Sequence, residues 1–453
     1  MDYEAALEYL DGLISYEKRG FSRYSAQTLK LDVIRRLAGL LGDPQDEPAA
    51  VHIAGTKGKG SVAATVEAIV RAAGYRTGLF TSPHLLSPRE RLRINGEMIP
   101  CEDFAALVTA IKPVVEIVAG EDHLFGPSFF EVYTAMAFSY FAGQKVDLAV
   151  FEVGLGGRLD ATNIIKPLVC AITTLGLDHT NVLGETLEEI AREKAGIIKP
   201  GVPVVVAENS PAATAVIRRQ ALEQGAEMIA APEVAIMEGA GPLAVPESSE
   251  ELPVPLQTVA LRTSDGTAWE LRSPLIGRHQ AVNVGVAVEV AQVLKGAGFD
   301  RIDATAISSG VRDVAWPARL EIVAKRPWVI LDCAHNAEAM RAIAETLPGL
   351  VEYDRLIVVL GISDDKNAAA IAEIIAPLTD IAVLTRAQIP RAMGVEDLGA
   401  ATAKYWREYR TEGTVREAAA TAFELAGPRD CILITGSFFV LDEYLQLGDE
   451  AGR

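Results

Sequence analysis

The chain has 453 residues, of which 49% are hydrophobic and 23% are charged. This composition predicts a well-packed globular protein of more than one domain and excludes a disordered chain. The formal net charge of -19 argues against a nucleic-acid-binding protein, which would present a basic face.

Four scattered cysteines without a CxxC pair predict reduced thiols and neither a disulfide framework nor a zinc site. The N-terminus shows no secretory signal, and no segment reaches the length needed to span a bilayer. We therefore expect a cytoplasmic protein.

The first 45 residues show helical periodicity, most clearly in LKLDVIRRLAGLLG. From residue 51 onward, apolar segments of strand type alternate with helical ones. The strand-type segments are VHIAG, RTGLFTS, DLAVFEVG, VCAITTLG and VPVVVAE. Such strands predict a mostly parallel sheet covered by helices on both faces.

Residues 232–257 are rich in Pro, Glu and Ser and are interpreted as a surface loop or irregular hairpin. The segment HQAVNVGVAVEVAQVLKGAG is predicted to be a helix that ends at Gly296 or Gly298. A second alternation begins near Trp316, with strands in WVILDCA, RLIVVLGI, IAVLTRA and CILITGSFF. We predict an α/β protein with a large first domain, residues 1–313, and a smaller Rossmann-like domain, residues 314–453.

The segment VHIAGTKGKGSVAATVEAIV combines a strand, a glycine-rich turn and a helix. A helix N-terminus offers unpaired N–H groups and a positive dipole end to phosphate groups. Lys59 would neutralise phosphate oxygens, and Ser61 would face Mg²⁺ or phosphate. The usual pattern has Ser or Thr directly after Gly-Lys, whereas Gly60 intervenes here. The first domain is thus predicted to be a P-loop ATPase domain; the alternative is a structural turn with surface lysines.

Polar residues follow three other strands of the same predicted sheet. Ser82, Glu152 and the pair Asp178 and His179 each lie at or just past a strand end. Ligands of open α/β sheets bind at the carboxyl ends of the strands, so these side chains should converge on the phosphates. Singly, each residue has a structural alternative: a turn serine, a salt-bridge glutamate and a helix-cap or loop histidine.

Several motifs together resemble folylpolyglutamate synthase and dihydrofolate synthase, which are members of the Mur ligase superfamily. The motifs are GTKGKGS, TSPHL, FEVGLGGRLDATN, LGLDHT with LGETLEEIAREKAGIIK, GRHQAVN, WPARLE, LDCAHN and TGSFF. The inserted glycine of the turn is the form found in that family. Members join L-glutamate to a carboxylate through an acyl phosphate, and ATP is converted to ADP and phosphate.

The resemblance implies roles for individual residues. ATP contacts are implied for Gly58, Lys59, Gly60, Ser61, Asn283, Arg319 and Asp332. Two Mg²⁺ ions are implied, with ligands Ser82, Glu152, His179 and Lys194, the last as a carbamylated lysine. From the sequence alone, Lys194 is more simply interpreted as a surface lysine of an amphipathic helix. Catalytic roles are implied for Lys59 and Lys194. His335 directly follows a predicted strand, and from that position we hypothesise that it deprotonates the incoming amine.

Substrate contacts are implied for Phe129, Phe130, Glu131, Leu159, Asp160, Ala161 and, more weakly, Ser437. Both phenylalanines could equally belong to the core, and Ser437 to an ordinary turn. The arginines Arg89, Arg91 and Arg93 would either meet a polyanionic glutamate tail or be solvated. Two departures from the family pattern are Cys333, where glycine is common, and Asn367, where aspartate is frequent.

Three functions remain open at this point: a folate-type glutamate ligase, another amino-acid ligase of the superfamily acting on a cell-wall or storage-peptide precursor, and a non-catalytic nucleotide-binding module. For the first, the acceptor is dihydropteroate, tetrahydrofolate or both, and the resemblance favours both. Family members are usually monomers, and no partner other than small molecules is expected.

Overall fold

The computed structural model describes residues 1–13, 31–121, 126–237, 242–244 and 252–451. The chain divides into two compact units. The first contains Met1–Ala235, Val259–Arg272 and Val282–Val314; the second contains Ile236–Thr258, Ser273–Ala281 and Ala315–Arg453. The domain bounds 1–313 and 314–453 drawn from the sequence stay a prediction.

Helices alternate with strands along the described ranges. The α-helices are α1 (Tyr3–Asp11), α2 (Asp32–Leu40), α3 (Lys59–Ala72), α4 (Cys101–Ala119), α5 (Phe129–Gly143), α6 (Thr180–Leu183), α7 (Leu187–Ala195), α8 (Pro211–Glu223), α9 (Arg278–Gly296), α10 (Ala304–Arg312), α11 (Ala337–Thr346), α12 (Ala368–Ile375), α13 (Val395–Thr402), α14 (Val415–Leu425) and α15 (Phe438–Ala451). Short 3-10 helices cover Pro44–Asp46, Pro88–Arg91, Ala161–Ile164, Leu347–Gly349, Ala376–Leu378 and Ala403–Tyr405.

The strands form three sheets within the described ranges. They are β1 (Ala49–Ala54), β2 (Thr77–Phe80), β3 (Leu92–Ile94), β4 (Glu97–Met98), β5 (Leu148–Glu152), β6 (Val169–Ile172), β7 (Val204–Val206), β8 (Met228–Ala230), β9 (Val234–Met237), β10 (Gln257–Arg262), β11 (Ala268–Ser273), β12 (Glu321–Lys325), β13 (Trp328–Leu331), β14 (Leu356–Leu360), β15 (Ile381–Leu384), β16 (Tyr409–Thr411) and β17 (Cys431–Thr435).

The largest sheet has the order β4-β3-β2-β5-β1-β6-β7-β8. Strands β2, β5, β1, β6, β7 and β8 are parallel, and β3 and β4 extend the β2 edge in antiparallel fashion. The carboxyl ends of β2, β5, β1 and β6 therefore lie side by side at one edge. Every residue of β2, β5 and β6 is buried, as expected for strands covered on both faces.

The second unit contains a sheet of order β12-β13-β17-β14-β15-β16, parallel except for β12. Its core includes Trp328, Leu356, Leu433 and residues of α11 and α12. A third sheet has the order β11-β10-β9. In the described part of the chain, no helix is both long enough and apolar enough to cross a bilayer.

The predicted α/β architecture is confirmed, and each strand-type segment predicted from apolar runs contains a strand. The helix predicted in LKLDVIRRLAGLLG is α2, whereas residues 14–30 lie outside the described residues. Of the predicted loop 232–257, residues 238–241 and 245–251 are also outside them, and β9 and β10 at its two ends are neighbours in a sheet. Helix α9 ends at Gly296, as predicted.

Candidate active site

The glycine-rich turn connects β1 to α3, and its conformation requires glycine at position 58. Gly58 is the residue before α3 and has a φ of 82°, in the left-handed region. A Cβ atom at this position would lie 2.1 Å from Oδ1 of Asn283. Asn283 is 4% exposed, so its amide lies buried directly beside the turn. Two residues far apart in sequence, both predicted as ATP contacts, are thus neighbours.

Hydrogen bonds fasten the turn to the segment that follows β6. The backbone N–H groups of Thr56 and Lys57 both donate to the carbonyl oxygen of Thr174, at 3.0 and 3.1 Å. The hydroxyl of Thr173 donates to the carbonyl oxygen of Lys57 at 2.6 Å. Lys57 Nζ also pairs with Asp178 Oδ2 at 3.0 Å. These contacts fix the turn against the segment that follows β6, directly before the start of α3.

Glu152 and Ser82 meet at the ends of the neighbouring strands β5 and β2. The backbone N–H of Ser82 donates to Oε2 of Glu152 at 3.1 Å. Glu152 is 5% exposed, so its carboxylate is withdrawn from bulk water. The convergence of these two residues, predicted from their strand-end positions, is present in the structure.

Lys59 is the first residue of α3 and lies among charged groups. Desolvation lowers the pKa of its ammonium group, and the carboxylate of Glu152 opposes that shift most strongly; Lys57 also lowers this pKa, and Asp178 and Asp160 raise it. The ammonium group is therefore within electrostatic reach of the strand-end carboxylates. An anionic ligand at the turn would meet a lysine that is already partly desolvated.

Lys194 is not the surface lysine that amphipathic periodicity favours. It lies on α7, is 4% exposed, and its pKa is lowered to about 7. Desolvation is the main cause and the positive charge of Lys59 the next, while Asp178 and Asp160 raise the pKa. The periodicity of α7 misleads because the helix packs its Lys194 side inward, against the same charged groups that surround Lys59.

His179 lies at the N-cap of α6 with a φ of 50°. Its backbone N–H donates to Asp178 Oδ1 at 3.0 Å, and its Nε2 lies 4.0 Å from the same oxygen. His179 therefore lies at a helix N-cap, which is the structural interpretation of this residue, and it also lies beside Asp178.

The loop after Glu152 is organised by Asp160, which is 5% exposed. Its carboxylate accepts hydrogen bonds from Leu155 N at 2.9 Å and from Thr162 N at 3.0 Å. Ala161 is buried next to it, and Leu159 is half-buried. The carboxylate of Asp160 therefore folds the loop, whatever contacts it makes with a substrate.

Phe129, Phe130 and Glu131 begin helix α5. Phe129 is 4% exposed and packs on Tyr133, with ring centroids 4.5 Å apart. Phe130 is half-buried, and a Cβ at Gly154 would lie 2.5 Å from its ring. The carboxylate of Glu131 accepts from Ser128 N at 2.9 Å in a capping box. The positions of Phe129 and Glu131 are those of a core residue and a capping residue, and the substrate contacts of all three stay predictions.

Arg91 corrects one expectation, because it is neither solvated nor available to a glutamate tail. It is fully buried, and its guanidinium carbon lies 5.3 Å from the ring centroid of Phe129 and 5.4 Å from that of Tyr133. Its Nε donates to His84 Nδ1 at 2.8 Å. Arg89 Nε donates to the carbonyl oxygen of Ile99 at 2.6 Å, and Arg93 remains partly exposed.

The second unit brings its own predicted residues together at the end of β13. Asp332 is 8% exposed, and its carboxylate accepts from Leu320 N at 2.9 Å and Ala334 N at 2.8 Å. Burial raises the pKa of Asp332, and Arg319 opposes that rise. The Arg319 side chain donates to the carbonyl oxygen of Ala318 at 3.0 Å and lies against the Cys333 thiol, at the position where glycine is common in the family.

His335 Nδ1 lies 2.9 Å from the carbonyl oxygen of Cys333. A carbonyl only accepts, so Nδ1 carries the hydrogen and, in the neutral ring, Nε2 carries the lone pair.

The hydroxyl of Ser437 accepts from Phe439 N at 3.1 Å and caps α15. Asn367 likewise caps α12, because its side-chain oxygen accepts a hydrogen bond from Ala370 N at 3.0 Å. Beside it, Lys366 Nζ lies 3.2 Å from Asp365 Oδ2.

The donor set at the first sheet suits Mg²⁺ shared with phosphate groups. Glu152 offers a carboxylate and Ser82 a hydroxyl, which are hard oxygen donors of the kind that Mg²⁺ prefers. Mg²⁺ takes about six oxygens and usually keeps several from water and substrate phosphates. Within the described ranges no three His, Cys, Asp or Glu side chains gather as a metal site.

Sequence reasoning overlooked three residues that shape this region. Asn163 Nδ2 donates to the carbonyl oxygens of Arg158 and Gly196, at 2.9 and 3.1 Å, and so joins the loop to the end of α7. His52 and Thr162 form a buried hydrogen-bonded pair. A histidine within the apolar strand VHIAG was a signal, because a buried polar side chain needs a partner.

Comparison with known proteins extends these observations. Residues 128–291 match the family "Mur ligase middle domain", and residues 318–438 match "Mur ligase, glutamate ligase domain". The chain is 36% identical over 414 residues to dihydrofolate synthase/folylpolyglutamate synthase of Bacillus subtilis, covering 90% of this chain and 93% of that protein. It is 37% identical over 432 residues to the protein of the same name from Mycobacterium tuberculosis, covering 89% and 87%.

Solved structures of proteins with these names also resemble this chain. Folylpolyglutamate synthase of Mycobacterium tuberculosis, complexed with ADP and AMPPCP, has a TM-score of 0.86 at 33% identity and covers 98% of this chain and 99% of its own. Escherichia coli FolC in complex with DHPP and ADP has a TM-score of 0.83 at 28% identity, covering 100% and 99%. The chain therefore belongs to the folylpolyglutamate synthase and dihydrofolate synthase family of the Mur ligases.

Proposed function

We propose that this protein is an ATP-dependent ligase that joins L-glutamate to the carboxylate of a folate and releases ADP and phosphate. The observation that carries the proposal is the gathering of Lys59, Ser82, Glu152 and Lys194 around one glycine-rich turn, in a chain of this family. Phosphoryl transfer depends mainly on positioning and charge neutralisation, and these groups supply both.

In this proposal the triphosphate lies at the start of α3. The N–H groups of Gly60 and Ser61 point to phosphate oxygens, Lys59 neutralises them, and Asn283 contacts the nucleotide beside Gly58. Arg319 and Asp332 are proposed as further nucleotide contacts. Mg²⁺ is held by Ser82 and Glu152, and a second ion by His179 and a carbamylated Lys194. Bound Mg²⁺ would neutralise the charge that develops on the transferred phosphoryl group.

The lowered pKa of Lys194, about 7, supports carbamylation. A neutral amine is needed to attack CO₂, and a lysine with an ordinary pKa is almost wholly protonated at neutral pH. The Lys194 nitrogen bonds to the carbon of CO₂ and releases a proton, so that a cation becomes an anionic oxygen donor. This change also relieves the repulsion between Lys194 and Lys59.

The reaction has two steps. The γ-phosphoryl group passes from ATP to the acceptor carboxylate, and ADP leaves. The amino nitrogen of L-glutamate then attacks the acyl carbon, loses a proton, and phosphate departs. We propose that Nε2 of His335 takes that proton, because Nδ1 is committed to the carbonyl oxygen of Cys333. Ser437 is a further proposed glutamate contact.

The acceptor carries a flat pterin ring, for which we propose contacts with Phe129, Phe130, Glu131, Leu159, Asp160 and Ala161. We propose that both dihydropteroate and tetrahydrofolate are accepted, that the protein acts in the cytoplasm, and that it is a monomer. The relatives named above support the two acceptors, because their names carry both activities.

The deciding experiment measures glutamate-dependent release of phosphate from ATP, with dihydropteroate and with tetrahydrofolate in separate assays. Release with both acceptors is the expected result. Release with one acceptor would remove the other from the proposal. Release with neither, while ADP still binds, would favour another amino-acid ligase of the superfamily or a non-catalytic nucleotide-binding module.

A further inference from the structure

His52 lies in the middle of β1, the strand that leads into the glycine-rich turn, and it is fully buried. Its Nε2 lies 2.8 Å from the hydroxyl oxygen of Thr162, in the 3-10 helix Ala161–Ile164. That hydroxyl in turn donates to Oδ1 of Asp160 at 2.5 Å. A continuous chain of hydrogen bonds therefore joins β1 to the loop that follows Glu152.

The direction of this chain follows from the proton count. Burial raises the pKa of Asp160, and hydrogen bonds from the Leu155 N–H and from the hydroxyl and N–H of Thr162 oppose that rise. The ionised carboxylate can only accept, so the single hydrogen of the Thr162 hydroxyl is given to it. The Thr162 oxygen must therefore accept the second bond, so His52 donates through Nε2–H. The imidazole is neutral, which agrees with its pKa being lowered to about 3, first by burial and then by the charge of Lys199. The chain runs from His52 through Thr162 to Asp160.

Asp160 is the point at which this chain reaches the candidate active site. Its carboxylate also accepts from Leu155 N and Thr162 N, and so holds closed the loop that begins directly after Glu152. Its charge acts on Lys59 at the turn and on Lys194 on α7. The orientation of one carboxylate thus influences both the loop and the two lysines.

We propose, building on the ligase function above, that His52 and Thr162 are positioning residues of the reaction: they fix the Asp160 carboxylate, and thereby the loop after Glu152, relative to the strand that leads into the nucleotide turn. Neither residue touches the reacting atoms. Their effect falls on nucleotide binding, since the strand they connect leads into the turn at Lys59, and on the acceptor, since the loop carries the proposed pterin contacts Leu159, Asp160 and Ala161; L-glutamate binding is spared.

Substitutions of similar size can separate the hydrogen bond from packing. His52→Gln keeps a side-chain N–H donor, whereas His52→Leu keeps apolar bulk without one. Thr162→Ser keeps the hydroxyl, and Thr162→Val keeps the shape without it. Within the described residues Nδ1 of His52 has no hydrogen-bond partner, so the hydrogen bond lost on substitution at this position is that of Nε2.

The experiment measures the Kd of ADP by calorimetry in the presence of Mg²⁺, and the KM values for ATP and L-glutamate in the full-length enzyme. A buried hydrogen bond is worth about 1 kcal/mol of stability, so where its loss is transmitted to the site His52→Leu and Thr162→Val should each raise the Kd of ADP and the KM for ATP severalfold, up to about fivefold. The KM for L-glutamate should stay within about twofold, and His52→Gln and Thr162→Ser should recover most of the affinity.

The double variant His52→Leu with Thr162→Val provides the decisive comparison. If the chain acts as one unit, the second change adds little to the first, because the connection is already broken. Additive losses, or equal losses in the donor-retaining variants, would show that His52 only packs and would overturn the proposal. Should His52→Leu not fold, Thr162→Val and Thr162→Ser alone decide it. A wild type that binds ADP but shows no glutamate-dependent turnover would refute the ligase function and leave this test intact.

Discussion

At the scale of single residues, Lys194 is the least expected feature of the molecule. Lys59 lies close enough to Lys194 for its positive charge to lower the pKa of Lys194, and Lys194 is almost fully buried. Such a placement costs folding free energy as long as the amine is protonated. Buried groups with strongly shifted pKa values are concentrated at functional sites, and carbamylation is the function that we propose for Lys194.

The cost predicts a dependence of stability on pH. The folded-state pKa of about 7 is below the unfolded value of 10.5, so between these pH values the unfolded state binds the extra proton and stability rises with pH. Below pH 7 Lys194 is protonated in the folded state as well, and the full free-energy penalty of burying its charge applies. Lys194→Met should therefore raise the free energy of unfolding by several kcal/mol at pH 6, at about 1.4 kcal/mol per pKa unit, and the gain should vanish near pH 10.5.

The measurement is chemical denaturation across pH in buffer depleted of CO₂, together with turnover, which the same substitution should abolish. Lys166→Met is the matched control, because the side chain of Lys166 is 82% exposed. A wild type and a Lys194→Met variant of equal stability at pH 6 would mean that Lys194 is not desolvated as described.

Gly58 gives a second prediction at this scale. In Gly58→Ala the alanine must adopt a left-handed backbone conformation, which costs about 1–2 kcal/mol of stability. Its Cβ also displaces the side chain of Asn283. Gly201→Ala has only the first effect, since Gly201 has a φ of 71° and open space around it. Both variants should lose similar stability from the backbone, and only Gly58→Ala should weaken ADP binding, by about tenfold or more. Equal ADP affinities in isothermal titration would contradict the proposed nucleotide site.

At the scale of elements, the position of α3 depends on its close packing with α10. A Cβ at Gly310 would lie 2.4 Å from the Cα of Ile69, so the two helices approach backbone to backbone. Helix α3 begins at Lys59, at the turn, and Ile69 lies in its last turn. The packing of one end of this helix therefore affects the other end, which carries the proposed nucleotide site.

Gly310→Ala should accordingly destabilise the protein by about 1–3 kcal/mol, the usual cost of overpacking, and should also weaken ADP binding. Gly39→Ala on α2 is the control, since a Cβ there meets nothing within 4 Å and alanine favours a helix. Thermal unfolding and ADP titration of both variants check the prediction. A stable Gly310→Ala protein would show that α10 can move away from α3 without consequence.

The elements also show what the sequence could and could not predict. Buried strands such as β1 and β5 were predictable because both faces are covered, which leaves an uninterrupted apolar run. The short strands β3 and β4 were not, since β4 is exposed and only two residues long. The strands β9 to β11 carry mixed burial, and their pairing depends on contacts between segments that no local pattern encodes.

At the scale of the whole molecule, four neighbouring parallel strands deliver residues from distant parts of the chain to one edge. Ser82 and Glu152 could be predicted to meet because strand ends follow from apolar runs and parallel strands share an edge. The burial of Lys194 and Arg91 could not be predicted, because both depend on which side of a helix or loop packs inward. The bond from His52 to Thr162 spans 110 residues and needs the fold itself.

This convergence predicts where a ligand will protect the backbone. Mg²⁺ with ADP should slow amide hydrogen exchange in 55–61, 152–163 and 173–179 together, because ligand bound to the native state opposes their opening. Helix α14 and strand β16 should exchange as before. Exchange measured by mass spectrometry, with and without ADP, checks this; protection confined to 55–61 would mean that the other strand ends do not share the site.

The bonds from Thr56 and Lys57 to the segment after β6 have a practical consequence for anyone exchanging parts between relatives. Residues 55–58 and 173–178 form a matched pair, so transplanting the first without the second would leave donors and acceptors facing the wrong backbone. Chimeras should therefore swap both segments at once. A shorter loop with Ser or Thr directly after Gly-Lys would need a redesigned second segment as well.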